Sequence, residues 1–595
     1  MIIIYTVKRY KPIVTIMMFN KMFKNIRIMI SDRSYENWTF QDTETNSDIQ
    51  FSTFPDIIPS ALKLFTKDIL EISSHKIIYS PTRNATTIAG ILQLDSGKTF
   101  GRTANKKKLL YKCIPNDRFL PIFLVPYELK MGFSKAQINK YVIFRFDQWT
   151  GKHPQGILCE TIGDVDQIEA FYEYQLYSRS IHSSIKEITA HARQALKQKP
   201  IQEYVEQIAQ NPDFQIQDRT RDRVFTIDPP NSLDFDDGFS VRYDEVSKNT
   251  TVSIYIANVY VWLETLGLWN SFSQRVATIY LPEYRRPMLP TVLSDALCSL
   301  QERETRFAFV LDVSIDSEGN VLDPPRFSNA KIRVFKNYRY EESNLLHDLE
   351  YQRLANITSN MDKSVKNSHD LVSFWMIQMN SYCANILAKN KCGIFRLVKT
   401  TLKELPVNTI SAETERFIKM WNNTTGQYVV YSENESIEHD ILQLTQYTHM
   451  TSPIRRLVDL LNYMFFCREI IGLAISKEAN IFMSSWIHHE KIEYINTSMR
   501  SIRKVQTDCD LLYRCHTNPE IMSDIHQGIV FDRMERSEGT CSYMVYLDKL
   551  KMLSRINIPI HMNIKLSNYC QREFKIFIFE DENKVHKKLR LQIVV

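Results

Sequence analysis

Much that would place this 595-residue chain in a familiar class is missing. Its ten cysteines are scattered between Cys113 and Cys570 without one C-x-x-C pair, and Cys515-His516 stands isolated. That favours reduced thiols in an intracellular protein over a disulfide frame or a zinc ribbon. No uncharged apolar stretch approaches the roughly 18 residues needed to span a bilayer, so the expectation is a soluble protein with no membrane partner. No internal repeat or low-complexity tract is present. Nor is there a strongly basic domain: 74 Lys and Arg against 68 Asp and Glu give a net charge of +6, which alone says little about nucleic acid. Lys98 and Thr99 follow Gly97 as in a phosphate loop, but Leu92 stands where the first glycine of that loop is required. Acidic residues are absent from residues 1–30, which carry six Lys or Arg. This start has features of a mitochondrial presequence but lacks Ser and has few Arg. It reads equally as a loosely packed extension, or as an upstream translation with the true start at Met17, Met18, Met22 or Met29.

What is present is an unusual concentration of carboxylates. Asp228, Asp234, Asp236 and Asp237 fall within Thr226-Ile-Asp-Pro-Pro-Asn-Ser-Leu-Asp-Phe-Asp-Asp-Gly238. Like charges a few ångströms apart raise each other's pKa, so such a cluster stays ionised only if a cation neutralises it. Hard oxygen donors select Mg2+ or Mn2+ over zinc. A calcium loop fails on register, because placing Gly238 sixth puts Leu233 first and Phe235 third, where oxygen ligands are needed. The apolar run Val224-Phe225-Thr226-Ile227 predicts a strand that delivers Asp228 to its end, and Pro229-Pro230 halts it. A solvated acidic loop is the plainer reading of the same spacing.

The string TIDPPNSLDFDDGF resembles the acidic signature of the ribonuclease II (RNB) family of 3'-to-5' exoribonucleases. About 210 residues on, Tyr447-Thr-His-Met-Thr-Ser-Pro-Ile-Arg-Arg456 followed by Asp459 resembles the family's second signature. Between them, Ile279-Tyr-Leu-Pro282, Pro287-Met-Leu-Pro290 and Leu293-Ser-Asp-Ala-Leu-Cys-Ser-Leu300 resemble its intervening segment, so the similarity covers about residues 216 to 515. The resemblance implies that Asp228 and Asp237 hold Mg2+ directly, with Mn2+ as a substitute, while Asp234 and Asp236 complete the site and orient the attacking water. It implies that Arg455 clamps the scissile phosphate and that Tyr280 stacks on the 3'-terminal nucleotide. It further implies in-line hydrolysis of single-stranded RNA to nucleoside 5'-monophosphates. By local pattern Ser452 is a good N-cap and Pro453 a good first helical residue, with Ile454, Leu457, Val458, Leu461 and Phe465 on one buried face. Arg455 and Arg456 would then oppose the dipole of the first turn, which hints at an anion partner. A salt bridge from Arg456 to Asp459 is the alternative to substrate contact.

The expected fold is an α+β catalytic RNB domain flanked by small OB-like β-barrels. The predicted divisions are a basic, unstructured extension (1–50), a cold-shock or OB-like barrel (76–175), a helical connector (180–215), the RNB domain (216–515) and a C-terminal OB-like RNA-binding unit (518–595). Only one barrel is legible before the catalytic region, with a basic run Arg102, Lys106, Lys107, Lys108 and Lys112 suited either to RNA backbone or to solvent. Several positions depart from the family: Tyr255 and Asn258 stand where it usually has His and Asp, Tyr463-Met464 where it has His-Arg, and Ser373-Phe374 where it has a glutamate pair. The phenylalanine that stacks on RNA opposite the tyrosine has no evident counterpart. A catalytically degenerate RNA-binding or scaffolding protein is therefore the rival reading. A monomer in the cytoplasm, with mitochondrial location or membership of an RNA-processing complex as alternatives, completes the expectation.

Overall fold

The computed structural model describes residues 24–49, 54–103, 105, 107–129, 137–399, 426–433, 436–536, 539–562, 564, 566–580 and 587–594. Residues 1–23 and Lys106, both part of the sequence expectations, lie outside them. No helix among the described residues is long and apolar enough to cross a membrane.

The first unit corrects the expectation of an unstructured stretch to residue 50. Strands Asn25–Ile30, Trp38–Asp42, Asp48–Ile49, Ile69–Glu71 and Ile77–Tyr79 form a five-stranded sheet, with the first strand flanked by the second and fourth. Alternation along Asn25–Ile30 buries Ile26, Ile28 and Ile30 against Phe40, Leu64 and Leu70. The basic character of the opening residues masked this period-two pattern. A closed five-stranded barrel follows, built from Ile88–Leu92, Leu109–Pro115, Phe123–Tyr127, Lys140–Gln148 and Gln155–Asp164. Arg102, Lys107 and Lys108 are exposed on it.

Helix Ile168–Ser178 packs back on this barrel, its Tyr174 ring stacked 4.4 Å from that of Tyr141. Helices Lys186–Ala195 and Ile201–Gln210 lead to the central sheet. There the 14-residue strand Arg326–Arg339 runs parallel to Val224–Asp228 and antiparallel to Thr305–Ile315. Together with Asp237–Tyr243 and Thr250–Ala257 these strands close a ring, whose interior and surrounding helices make the largest core. The last unit is a five-stranded antiparallel sheet, His526–Arg536, Thr540–Leu547, Met552–Pro559, Gln571–Glu580 and Lys587–Ile593. Its outer strands Met552–Pro559 and Lys587–Ile593 touch, so it curls into a barrel-like unit around its own core.

Candidate active site

Strand Val224–Asp228 ends at Asp228, and the chain re-enters the sheet at Asp237. Gly238 is what lets the two strands approach: a Cβ there would lie 3.1 Å from the Phe225 carbonyl oxygen. The intervening acidic loop is clasped from behind. Ser299 Oγ accepts from the Phe235 N–H (3.0 Å) and donates to the Leu233 carbonyl (2.8 Å), and the Leu300 N–H donates to the Phe235 carbonyl. The segment 293–300, matched in sequence but given no role, is thus the support of the acidic loop.

Asp228, Asp234 and Asp237 line one cavity of about 710 Å3 together with Tyr280, Arg285, Tyr340, Arg455 and Arg456. Asp236 lies directly behind it, 1% exposed, accepting from the Ile454 N–H (3.0 Å) and paired with Arg455 (Nε to Oδ2, 3.1 Å). Asp234 is engaged at the cavity wall: Arg285 binds its Oδ1 at 2.8 Å and the Tyr280 hydroxyl donates to its Oδ2 at 2.8 Å. Two of the four carboxylates are therefore already neutralised by arginine, leaving Asp228 and Asp237 as the uncompensated pair.

Burial pushes the Asp228 carboxyl up to about 8, with the charge of Asp237 the next cause. Burial likewise lifts Asp236 to about 8 against the pull of Arg455, and Asp237 to about 6 against Arg455 and Arg456. Asp228 Oδ2 is buried without a hydrogen-bond partner. Among the described residues no three His, Cys, Asp or Glu side chains gather closely enough to ligate one ion. A hard cation of the Mg2+ type still fits the donors present, since Mg2+ is commonly held by one or two carboxylates plus waters and substrate phosphates. An orphaned carboxylate oxygen beside a second buried carboxylate is such a donor pair.

The second string does not begin a helix at Pro453. Residues 453–455 form a turn and the helix is Leu457–Phe465, with Arg456 at its N-cap position. Long-range pairing decides the difference: the Arg455 carbonyl accepts from the Thr278 N–H (3.0 Å) and the Val276 carbonyl from the Leu457 N–H (2.9 Å), a bridge that takes the place of the first helical turn. The argument from an opposed dipole accordingly fails, although the apolar face from Ile454 to Phe465 is buried as expected. The two arginines part company here. Arg456 binds Asp459 through both Nε (2.9 Å) and Nη2 (2.8 Å), and Asp459 is fully buried. Its cation is committed to the fold. Arg455 keeps a half-exposed side chain in the cavity, with Ser452 Oγ accepting from its Nη2.

Tyr280 sits in a hairpin of two paired positions, Ile279 opposite Arg286 and Tyr280 opposite Arg285, and its ring is 39% exposed at the cavity. It is not a core aromatic. Sequence reasoning missed three lining residues. Arg285 bridges Asp234 and Asp295, reached only because the hairpin folds it beside Tyr280. Tyr340 stacks on His369 at 3.6 Å and supplies a second aromatic wall. His449 is held neutral, its pKa pushed well down by burial and by Arg456 and Arg396, with its Nδ1 2.8 Å from the Tyr428 hydroxyl.

The departures from the family pattern are not among the residues lining this cavity, and Tyr255, Asn258 and Tyr463 are satisfied internally. Asn258 Nδ2 donates to the Tyr463 hydroxyl (2.6 Å), which donates to Asn329 Oδ1 (2.8 Å). Two of the odd residues are thus partners, 205 positions apart. Tyr255 donates to Asp222 (2.8 Å) in a buried group with Ser240 and Arg219.

Comparison with known proteins bears on the domain and the fold. Residues 216–359 and 345–466 match the RNB domain. Exoribonuclease 2 of Psychromonas ingrahamii is 34% identical over 146 residues, covering 24% of this chain and 22% of that protein. RNase R of Mycoplasma genitalium in its apo form superposes with a TM-score of 0.67 at 15% identity, over 96% of this chain and all of that one; its complex with ribose-methylated single-stranded RNA gives 0.65 at the same identity and coverage of this chain. Yeast Ssd1, a pseudonuclease, superposes at 0.55 with 12% identity, over 96% of this chain and 82% of that one. These structures share the fold. Residues 216–466 thus match an RNB domain, and the α+β centre is flanked by OB-like units. It spans well under two thirds of the length of the matched Exoribonuclease 2.

Proposed function

We propose that the chain is a divalent-cation-dependent 3'-to-5' exoribonuclease that hydrolyses single-stranded RNA to nucleoside 5'-monophosphates. The observation that carries this reading is the convergence, on one cavity, of the Asp228–Asp237 pair, of Arg455 from more than 200 residues on, and of the exposed Tyr280 ring. Asp228 and Asp237 would hold Mg2+, or Mn2+ in its place. Such a cation supplies a water activated at neutral pH and neutralises charge on the phosphoryl group. Arg455 presents its guanidinium to the phosphate while Asp236, buried behind it, fixes its direction. Tyr280 offers a ring face to the terminal base, anchored through its hydroxyl to Asp234. Tyr340 and its stacked His369 offer a second wall.

A binding-only protein is the competing reading, and the likeness to a pseudonuclease is its one support. Against it, the odd residues Asn258 and Tyr463 do not line the cavity, and Asp228, Asp234, Asp237 and Arg455 do. The test is incubation of the purified protein with uniformly labelled single-stranded RNA in Mg2+ and in EDTA. Mononucleotides in Mg2+ alone are expected. Intact RNA in both, with retained binding, would establish the competing reading.

A further inference from the structure

We propose that Glu173 is a positioning residue that ties the barrel preceding the catalytic domain to the Tyr280 hairpin, so that the stacking platform is held in place by a neighbouring domain. The hairpin cannot hold itself. It has two paired positions, and isolated two-stranded ribbons are marginal in water even when longer. Its fixings come from outside: the Tyr280 N–H donates to Gln506 Oε1 (3.2 Å), the Tyr280 hydroxyl to Asp234, and Arg285 to Asp234 and Asp295. Each of those holds the cavity side.

The opposite side is held by Glu173. Arg286, directly across the hairpin from Ile279, donates to Glu173 Oε2 from both Nε (3.2 Å) and Nη2 (2.5 Å). Tyr284 in the turn lies close enough that burial and the Glu173 charge push its hydroxyl up to about 12. His182 Nε2 lies 3.6 Å from the other oxygen and stacks on Tyr177, a turn beyond Glu173. Glu173 thus binds the hairpin strand through Arg286 and lies against the hairpin turn and the connector.

Its helix belongs to the barrel. Tyr174 stacks on Tyr141, and Ala170 packs on Gly163, where a Cβ would come within 2.6 Å. The line from barrel to platform is Tyr141, Tyr174, Glu173, Arg286, Ile279, then Tyr280, each step a packed ring, a peptide bond, an ion pair or a hairpin register. Charged hydrogen bonds with two prongs fix orientation as well as distance. Loss of the Glu173 charge should free the hairpin without touching Asp228, Asp236, Asp237 or Arg455.

This role rests on the proposed reading of the cavity as an RNA site, and two measurements separate their failures. The first needs no RNA: hydrogen exchange of the backbone amides of 279–286 in the full chain, wild type against Glu173→Gln. Faster exchange there, with the central sheet unchanged, is expected; identical protection would overturn the proposal. The second is a double-mutant cycle in the Asp236→Asn background, with Glu173→Gln and Tyr280→Ala, read as affinity for an oligonucleotide too short to reach the barrel. Glu173→Gln should weaken binding at least about twofold, and by much less once Tyr280 is gone, as coupled residues do. Equal losses in both backgrounds would reduce Glu173 to a structural contact. Recovery of both readouts in the charge-swapped pair Glu173→Arg with Arg286→Glu is expected, and its absence would count against the ion pair as the connecting element. If the chain binds no RNA at all, the function falls, and the exchange experiment still decides whether Glu173 braces the hairpin.

Discussion

The affinity of the metal-free chain for Mn2+ should depend steeply on pH, because a cation entering between Asp228 and Asp237 must displace a proton. Burial and the neighbouring charge push Asp228 up to about 8, so at neutral pH its carboxyl holds a proton that binding expels. Between pH 8 and pH 6 the affinity should fall steeply, by up to about tenfold per unit for the one proton displaced. Below pH 6 the fall should steepen as Asp237, pushed up to about 6, takes up a second proton. The same shifts act on stability with the sign proper to a raised carboxyl: the contribution is present below the unfolded pKa near 4 and lost as pH rises towards 8, so the metal-free chain weakens over that range and added metal restores it. Calorimetric titration with Mn2+ at pH 6, 7 and 8, in buffers of differing ionisation enthalpy, reads affinity and proton release together. A flat affinity with no proton released would refute the assignment of Asp228 as a ligand.

Three substitutions separate the remaining roles. Tyr280→Ala removes a stacking face worth about 1–3 kcal/mol per base, so degradation should stop on a longer residual oligonucleotide than in wild type; a limit product of equal length at equal rate would return Tyr280 to a structural part. Arg456→Ala strands the fully buried Asp459 and should cost about 3–5 kcal/mol in denaturant unfolding, while leaving the salt dependence of RNA affinity unchanged; a fall of about 0.7 in the log-log slope would instead make Arg456 a phosphate contact. Asn258→Asp buries an unpaired charge beside the Tyr463 hydroxyl and should destabilise the chain by several kcal/mol, with Tyr463→His restoring much of the loss. Additive losses in that pair would show that the two departures are independent.

The acidic cluster and the arginine string were legible because each is a contiguous run whose chemistry needs no long-range partner to be recognised. What could not be read were partnerships made across the chain. Ser452-Pro453 satisfies every local rule for a helix start, yet pairing with residues 276–278 moves the start to Leu457. Asp234 looks identical to its neighbours until the hairpin brings Arg285 against it, and that contact spans two segments with no shared pattern. The first sheet was hidden for a different reason: strands of two to six residues, opening in an Ile-, Met- and Lys-rich stretch, carry little period-two signal. The departures at Asn258 and Tyr463 were visible singly, but that they are hydrogen-bonded to each other was not.

The account stands most directly on Asp236, which is sealed behind the cavity and paired to Arg455. Asp236→Asn keeps the shape and removes the carboxylate that pairs with Arg455, so with uniformly labelled single-stranded RNA in Mg2+ the rate of mononucleotide release should fall at least about tenfold to a hundredfold, as loss of an orienting partner does, while RNA affinity persists or rises. A variant that degrades RNA at the wild-type rate would contradict the placement of the chemistry in this cavity.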